Sequence, residues 1–310
     1  GLRRPERSAE ILAEYPVLAR QLWLCLMRWA DVSLEFLSRL CEDWSSIREV
    51  FSLTEDPGPL VELLGGAGDT HRGGRSVMVA EFESGFRIVY KPKSLAIDAH
   101  FQDLLEQVNE WGCTPPLRTM IILDRGEYGW VEFVAQSECS SVTEIERFYQ
   151  RHGAYLALLY ALNSTDFHLE NIIAAGEHPM LIDLETLFNS LSDAFDVTVA
   201  DAAAQKAMSE SVMQVGMLPI RIWSGEEYDG IDISGLGGSP GQLSPDRIPE
   251  PAEAGTDAMH FVRRRFEMPG DANRPSLEGQ ETSAVDYVDN IVAGFAGMYR
   301  LLRAHKRDLL

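Results

Sequence analysis

The sequence predicts an α+β fold in two lobes, with helices towards both ends of the chain and short strands between them. Apolar residues recur at helical spacing over residues 6–52 and again over residues 282–302. Between these segments, short apolar runs alternate with turn-forming residues, which is typical of strands. A chain of 310 residues is long enough for two lobes, or for a core domain with additions.

Composition and charge exclude several classes of protein. The net charge of −21 argues against nucleic acid as the main partner, because proteins that bind its backbone need a cationic face. No apolar run reaches about 18 residues, so no membrane span is predicted. The four cysteines lie far apart and form no Cys-x-x-Cys pair. This predicts reduced thiols in a cytoplasmic protein rather than structural zinc or a disulfide framework.

The first 58 residues are predicted to form a helical segment of their own. Pro16 lies near the start of a pair of helices, where a first turn tolerates proline. Trp23, Trp29 and Trp44 are expected to pack against the next domain. The sequence Asp56-Pro57-Gly58-Pro59 breaks the helical pattern and places the first boundary. The apolar residues at helical spacing are Leu18, Leu22, Cys25, Leu26, Trp29, Leu34, Leu37, Leu40, Cys41 and Trp44.

Residues 59–135 are predicted to form the first lobe, which is built around a β-hairpin. Residues 77–82 and 86–91 have the pattern of two strands joined by a Ser-Gly turn. The Gly-rich stretch 65–76 is suited to covering phosphates, because glycine lets backbone N–H groups approach oxygen closely. Lys91 ends the second strand, where a kinase places the lysine that pairs with ATP phosphates.

A helix predicted over residues 98–111 follows the hairpin. In a kinase, the helix at this position carries a glutamate that pairs with the lysine. Glu106 and Glu110 both lie on the predicted helix, and the sequence does not choose between them. Either glutamate could equally be an ordinary exposed residue of the helix.

Two further strands are predicted over residues 119–123 and 128–134, on either side of a polar turn. The second strand lies where the connection between two kinase lobes would fall. Backbone groups near Glu132 and Val134 would then bind adenine. A buried strand with Trp130 in the core is also compatible with this pattern.

Residues 136–310 are predicted to form the second lobe, beginning with a long helix over residues 144–162. The loop after this helix carries Asp166 and Asn171, and an apolar run ends at Asp183. Phosphoryl-transfer enzymes of the kinase type need a base for the hydroxyl, an Asn for one metal and an Asp for the metals that bridge the phosphates. The usual His-Arg-Asp is missing, and the order Asp-x-His-x-x-Asn is closer to the catalytic loop of lipid kinases and their protein-kinase relatives. The predicted fold is therefore kinase-like, two-lobed and related to lipid kinases.

The pattern weakens after Phe188, in a region that would resemble an activation loop. Residues 200–211 are predicted to be helical, residues 217–223 a strand, and the stretch 235–251 a mobile loop. Arg263-Arg264-Arg265 is a small basic cluster that could hold an acidic or phosphorylated substrate, although a solvated face is the simpler interpretation. The final helix is predicted to bury Val285, Val288, Ile291, Val292, Phe295 and Met298.

Five motifs occur in one order along the chain and together resemble a known family. The motifs are Gly68-Asp69-Thr70-His71 with Gly74-Arg75-Ser76-Val77, Tyr90-Lys91-Pro92-Lys93, Tyr128-Gly129-Trp130-Val131-Glu132-Phe133, Thr165-Asp166-Phe167-His168-Leu169-Glu170-Asn171 and Ile182-Asp183-Leu184-Glu185-Thr186. They are similar to the dehydratase (kinase-like) domain of type II lanthipeptide synthetases. The resemblance is strong over about residues 60 to 190 and looser in the flanks.

The resemblance implies an enzyme that uses ATP and Mg²⁺ to phosphorylate Ser and Thr of a precursor peptide, made of a leader and a core, before eliminating the phosphate. By the same resemblance, Lys91 would hold ATP phosphates and Asp166 would orient or deprotonate the substrate hydroxyl. His168 would support the transferring phosphate, and Asn171 and Asp183 would bind magnesium.

The remaining implied positions are Asp69, His71 and Arg75, which belong to the family pattern near the nucleotide. The Arg-x-x-x-Arg-x-Thr element that the family uses for elimination is not found, and neither is the zinc-dependent cyclase. The expectation is therefore a chain that phosphorylates without eliminating efficiently, with a cyclase as a covalent or separate partner.

Two other functions remain open from the sequence. A kinase acting on another protein or a small molecule would use the same residues. A non-catalytic module that binds nucleotide or leader peptide is the second alternative. Lys91, Asp166, Asn171 and Asp183 together favour an enzyme, because a module that only binds has no need of all four.

Overall fold

The computed structural model describes residues 4–66, 74–189, 206–222, 230–268 and 270–309. The chain divides into two compact units. The first unit comprises Gly1–Ala99 and Met120–Phe133, and the second comprises His100–Thr119 and Val134–Leu310. The domain boundaries drawn from the sequence stay predictions.

Two helices begin the first unit, α1 over Pro5–Glu14 and α2 over Pro16–Val50. Pro16 lies in the first turn of α2, as predicted, where the missing N–H has no helical partner to lose. The prediction of a pair of helices after Pro16 is wrong, because α2 is one helix of 35 residues. No glycine or proline follows Pro16 before its end, so nothing in the sequence interrupts it.

The buried stripe of α2 lies in its C-terminal half. Leu34, which follows the predicted spacing, is 66% exposed because it lies beside this stripe. Trp44 stacks on Phe82 with ring centroids 5.2 Å apart, whereas Trp23 and Trp29 are 62% and 72% exposed. The predicted packing of the tryptophans is therefore confirmed only for Trp44. The buried residues of α2 are Val32, Phe36, Leu40, Asp43 and Ile47.

The first unit contains an antiparallel five-stranded sheet in the order β1-β2-β3-β5-β4. The predicted hairpin is confirmed, and Lys91 is the last residue of its second strand. Alternate residues of β2 are buried, which gives one face of this strand to the core shared with Phe36 and Trp130. The strands are β1 over Leu60–Gly65, β2 over Met78–Phe82, β3 over Arg87–Lys91, β4 over Ile122–Asp124 and β5 over Gly129–Glu132.

A buried carboxylate ties α2 to the β4–β5 turn. Asp43 has 2% of its side chain exposed and accepts hydrogen bonds from Arg125, from the Tyr128 hydroxyl at 2.9 Å and from Trp130 Nε1 at 2.9 Å. Burial alone would raise the pKa of Asp43, but these three donors hold it below its usual value. No periodic pattern predicts this contact, since the partners of Asp43 are more than 80 residues away in the chain.

The second unit is mainly helical. Its long helices are α3 over Ala96–Glu110, of which residues from His100 onward belong here, α4 over Val142–Ala161 and α5 over Val288–Ala304. All three contribute to one apolar core that also includes Phe167 and Leu181. Within the described ranges, every helix falls short of the length and apolarity that crossing a bilayer requires.

Among the described residues, four short antiparallel strand pairs complete the second unit. The stretch predicted as a mobile loop over residues 235–251 is instead partly buried, because the backbone N–H groups of Gly235 and Leu236 donate to the carbonyls of Gly216 and Met217. The predicted helix is seen over residues 206–209, while residues 200–205 lie outside the described part. The pairs are β6 over Ile172–Ala175 with β7 over His178–Leu181, β8 over Arg221–Ile222 with β9 over Ile231–Asp232, β10 over Ile248–Ala252 with β11 over His260–Arg264, and β12 over Ser276–Leu277 with β13 over Gln280–Glu281.

Helices α4 and α5 cross at two glycines. A Cβ atom on Gly153 would overlap the backbone carbonyl of Ile291, and one on Gly294 would overlap the backbone of Gln150. This crossing decides which face of α5 is buried, and the buried residues are Ile291, Gly294, Met298 and Leu302. The predicted burial of Val285, Val288 and Val292 is wrong, since they are 77%, 50% and 59% exposed.

Gly294→Ala is expected to lower the free energy of unfolding by about 1–3 kcal/mol or more, because the added methyl must push two backbones apart. Gly297→Ala is the matched control, since Gly297 lies on the same helix with open space at its Cβ position. That control is expected to be neutral or to stabilise by roughly 0.5–1 kcal/mol. Urea unfolding of both variants checks the difference, and equal midpoints would contradict the close crossing.

His152, in the middle of α4, is fully buried. Burial lowers the pKa of His152 to about 3, and interaction with the backbone of Met217 opposes this only in part. The residue was predicted to be packed rather than to act as a ligand, and its burial confirms the packing. The folded chain therefore keeps this imidazole neutral at pH values where the unfolded chain protonates it.

The free energy of unfolding is expected to fall as the pH drops from about 6.5 towards 4, because the unfolded state then binds a proton that the folded state rejects. One such histidine contributes a slope of about 1.4 kcal/mol per pH unit. Urea unfolding between about pH 7 and pH 5 should show a shallower slope for His152→Leu. His100→Gln is the control, since the His100 side chain is 82% exposed. A slope unchanged in His152→Leu would show that the acid sensitivity comes from elsewhere.

Candidate functional site

Asp166 is held in a left-handed backbone conformation within the loop that follows α4. Its φ is 67°, a region that Asp tolerates better than most residues. The next residue, Phe167, is fully buried, and its N–H donates to the Val215 carbonyl at 2.8 Å. The side chain of Asp166 is 58% exposed. The buried Phe167 therefore fixes the backbone next to Asp166, while the Asp166 carboxylate stays accessible.

His168 is oriented by contacts at both ring nitrogens. Nδ1 accepts a hydrogen bond from the Glu170 N–H at 3.3 Å. Nε2 lies 3.6 Å from Asp166 Oδ1 and 3.4 Å from Asn171 Nδ2. Because Nδ1 acts as an acceptor, the proton of the neutral ring lies on Nε2. Nε2 therefore lies near the Asp166 carboxylate, just beyond hydrogen-bond distance.

Asn171 uses its amide nitrogen inside the loop. Nδ2 donates to the backbone carbonyl of Asp166 at 2.8 Å, which closes the loop on itself. Among the described residues, no hydrogen bond is made to Oδ1 of Asn171. This oxygen is available, and an amide oxygen is a ligand that hard cations accept.

Asp183 lies between two contacts to the same loop. On one side, the Ile182 N–H donates to the Asn171 carbonyl at 3.0 Å. On the other side, the Thr165 N–H donates to the Thr186 carbonyl at 3.4 Å, and the Thr186 hydroxyl donates to the Thr165 carbonyl. The structure thus brings Asp183 to the loop that carries Asp166, His168 and Asn171.

The Asn171 and Asp183 side chains together suit a cation that takes its remaining ligands from phosphates and water. The described part of the chain has no group of three or more His, Cys, Asp or Glu side chains that could enclose a metal ion. One carboxylate and one amide oxygen match Mg²⁺, which is usually held by one or two protein groups together with phosphates and water. Asn171 and Asp183 therefore fit the predicted metal role.

Lys91, at the end of β3 in the first unit, is buried beside a carboxylate that the sequence analysis missed. Its Nζ lies 3.4 Å from Asp98 Oδ1, and the two side chains are 8% and 5% exposed. Glu106 and Glu110, the two candidates for this role, are exposed farther along α3. The available signal was that Asp98 lies in the first turn of α3, where a negative charge is favoured.

The other predicted nucleotide ligands are only partly described. Asp69 and His71 lie outside the described residues. Arg75 forms an ion pair with Glu35 of α2 at 2.5 Å, and this hydrogen bond is the main reason why the pKa of Glu35 is lowered. The role of Arg75 at a nucleotide stays a prediction.

The predicted adenine contacts also stay predictions. The N–H of Glu132 donates to the Ile121 carbonyl at 3.0 Å, and the Glu132 carboxylate accepts from the Ile121 N–H at 2.9 Å. That N–H is therefore already used within the sheet of the first unit. Val134 is buried in the second unit.

Comparison with known proteins places the chain in a family. A family model described as a domain of unknown function, DUF4135, matches residues 15–310. The chain belongs to the DUF4135 family. It is also 27% identical over 314 residues to the lacticin 481/lactococcin biosynthesis protein LcnDR2 of Lactococcus lactis subsp. lactis. The match covers 97% of this chain and 33% of LcnDR2, so this DUF4135 chain spans about a third of its relative's length. The resemblance predicted from the motifs is confirmed: this is a lanthipeptide synthetase-related domain.

The support beneath the loop of this DUF4135 domain was missed in the sequence. Besides Val215, the Ile233 carbonyl accepts from the Leu169 N–H at 3.0 Å. A Cβ on Gly235 would lie 2.8 Å from the Phe167 carbonyl oxygen and 2.7 Å from Ile172 Cδ1. The described residues 212–222 and 230–238 therefore support the loop that carries Asp166. The glycine at 235 was a signal of close backbone approach that was interpreted as a loop.

Proposed function

We propose that this domain phosphorylates Ser and Thr residues of a precursor peptide in lanthipeptide biosynthesis, using ATP and Mg²⁺, and that it has a two-lobed kinase-like fold. The observation that carries the proposal is the contact of the Asp183 segment with both ends of the loop from Thr165 to Asn171. A base, an amide oxygen and a carboxylate then lie in the second unit in the order that phosphoryl transfer needs. Similarity to a lacticin 481/lactococcin biosynthesis protein supports a peptide substrate.

Each residue of the set has a distinct role in the proposal. The exposed Asp166 carboxylate orients the substrate hydroxyl and accepts its proton. His168, whose Nε2 lies 3.6 Å from Asp166 Oδ1, would donate its Nε2–H to an oxygen of the transferring phosphate. Asn171 Oδ1 and the Asp183 carboxylate hold Mg²⁺, which when bound offsets the negative charge of the phosphoryl group.

Lys91 holds ATP phosphates in this proposal. Its burial beside Asp98 keeps the ammonium in place and limits its exchange with solvent. A buried cation is costly unless it is paired, and Asp98 supplies that pairing. The ammonium carries three N–H donors, and phosphate oxygens would be acceptors for those that Asp98 does not use.

The experiment is mass spectrometry of Ser- and Thr-containing precursor peptides, including that of lacticin 481, after incubation with the protein, ATP and Mg²⁺. The expected result is a mass gain of one or more phosphates that requires both ATP and Mg²⁺. An omission of Mg²⁺ and an incubation with a non-hydrolysable ATP analogue serve as controls. Peptides that stay unmodified while ATP binds would contradict the kinase and favour a binding module.

A further inference from the structure

The hairpin formed by β10 and β11 in the second unit is exposed along both strands. Four of the five residues of each strand are exposed, and Phe261 on β11 is 67% exposed. In the described part of the chain, the hairpin forms its own two-stranded sheet with no third strand. An exposed strand edge of this kind is a template for another extended chain.

Two prolines determine which way the backbone groups point. Pro249 lies opposite Arg263, and Pro251 lies opposite Phe261. Proline has no N–H, so neither pair can exchange the two hydrogen bonds of a hydrogen-bonded pair. These are therefore the non-hydrogen-bonded pairs of the ladder. The N–H and C=O groups of Phe261 and Arg263 must point away from β10, towards the outer edge of β11.

The two edges of the hairpin consequently differ. The outer edge of β10 has prolines at both outward positions, which removes its donors and protects it from pairing. The outer edge of β11 keeps the N–H groups of Phe261 and Arg263. Neither N–H donates to another group in the described part of the chain. Only the β11 edge can therefore accept a further strand.

The β11 edge is also basic in a chain of net charge −21. Arg263 and Arg264 end β11, and Arg265 follows directly. Arg247 immediately precedes β10, at the same end of the hairpin. Glu250 is the carboxylate within the two strands, and Asp246 and Glu267 flank the arginines in the sequence, whereas β11 itself carries two arginines and no carboxylate. The net negative charge of the rest of the chain repels acidic peptides, whereas the arginines at this edge attract them. An acidic segment is therefore the partner that this edge favours by charge.

We propose that the outer edge of β11 binds an extended, acidic segment of the precursor peptide as a third antiparallel or parallel strand. The identity of the peptide rests on the proposed function, whereas the binding mode rests on the hairpin alone. Backbone hydrogen bonds to Phe261 and Arg263 give the affinity, and the arginines select carboxylate side chains of the peptide. The site needs no ATP and is separate from the loop that carries Asp166.

The test uses two fluorescein-labelled synthetic peptides that alternate Val with Glu or, in the second peptide, Val with Lys. Fluorescence anisotropy with the full chain is expected to show binding of the acidic peptide only.

Phe261→Pro removes one outward N–H without touching the ladder, and Phe261→Ala removes the same ring while keeping that N–H. Phe261→Pro is expected to bind about tenfold more weakly than Phe261→Ala. Arg263→Gln with Arg264→Gln should also weaken binding by about tenfold or more.

Pro251→Ala is the matched control, because it lies opposite Phe261 and changes only the β10 edge. Its affinity for the acidic peptide is expected to equal that of the unchanged chain. Hydrogen exchange should slow over residues 259–266 when the acidic peptide is added. Equal affinity of Phe261→Pro and Phe261→Ala, protection elsewhere, or no binding of the acidic peptide would overturn the proposal.

The outcomes separate this site from the proposed activity. Peptide binding at β11 without any phosphate transfer to precursor peptides would support the hairpin proposal and contradict the proposed kinase activity. Phosphate transfer could instead be unaffected by Phe261→Pro and by the two arginine substitutions, with no peptide bound at β11. That result would contradict the hairpin proposal and support the kinase activity.

Discussion

Asp166→Asn is expected to slow phosphate transfer to a precursor peptide by about 10²–10⁴-fold, because the amide cannot accept the proton of the substrate hydroxyl. Asn tolerates the left-handed φ of 67° as well as Asp does, so the loop should keep its shape. The substitution therefore removes the base with little disturbance of the backbone. Nucleotide affinity and the unfolding midpoint are expected to stay close to those of the unchanged protein.

The measurement is the initial rate of peptide phosphorylation by mass spectrometry, together with calorimetric titration of ATP in the presence of Mg²⁺. Asp103→Asn is the matched control, since the Asp103 side chain is 76% exposed on α3. It is expected to have no effect on either quantity. If Asp166→Asn transferred phosphate at the unchanged rate, Asp166 would not be the base.

Lys91→Met is expected to reduce phosphate transfer by at least about 10²-fold, because a buried ammonium that binds phosphates in the transition state is lost. Asp98→Asn is expected to lower the free energy of unfolding by about 3 kcal/mol, since it leaves a buried cation less compensated. The double variant Lys91→Met with Asp98→Leu should recover much of that stability. It should not recover activity.

Thermal unfolding and phosphorylation rates of the three variants check this pair of roles. A structural role alone predicts that activity follows stability, so the stable double variant would be active. A phosphate-binding role predicts a stable and inactive double variant. Recovery of activity in the double variant would therefore contradict the role of Lys91 in the proposed function.

Local signals predicted much of the fold. Pro16 at the start of α2, the Ser-Gly turn between β2 and β3, and the apolar period of α4 depend on neighbours within a few residues. The loop from Thr165 to Asn171 was also found because its residues are close in sequence. Each of these features is decided by turn geometry or by the burial of one face.

The features that were missed depend on distant parts of the chain. The buried face of α5 follows from two glycines on different helices, and no period within α5 reveals Gly153. Asp98 was not predicted as the partner of Lys91, because the kinase pattern places a glutamate near the middle of the helix. The support beneath Phe167 comes from the described residues 212–222 and 230–238, which have little regular structure and therefore little periodic signal.

The metal role of Asn171 and Asp183 can be seen in a crystal structure of the protein with Mg²⁺ and a non-hydrolysable ATP analogue. Mg²⁺ is expected at about 2.0–2.1 Å from Asn171 Oδ1 and from an Asp183 oxygen, with the terminal phosphate directed towards Asp166. The opposite result is a crystal in which the Mg²⁺-nucleotide is bound elsewhere and no Mg²⁺ contacts Asn171 Oδ1 or Asp183. That result would contradict the proposed metal site.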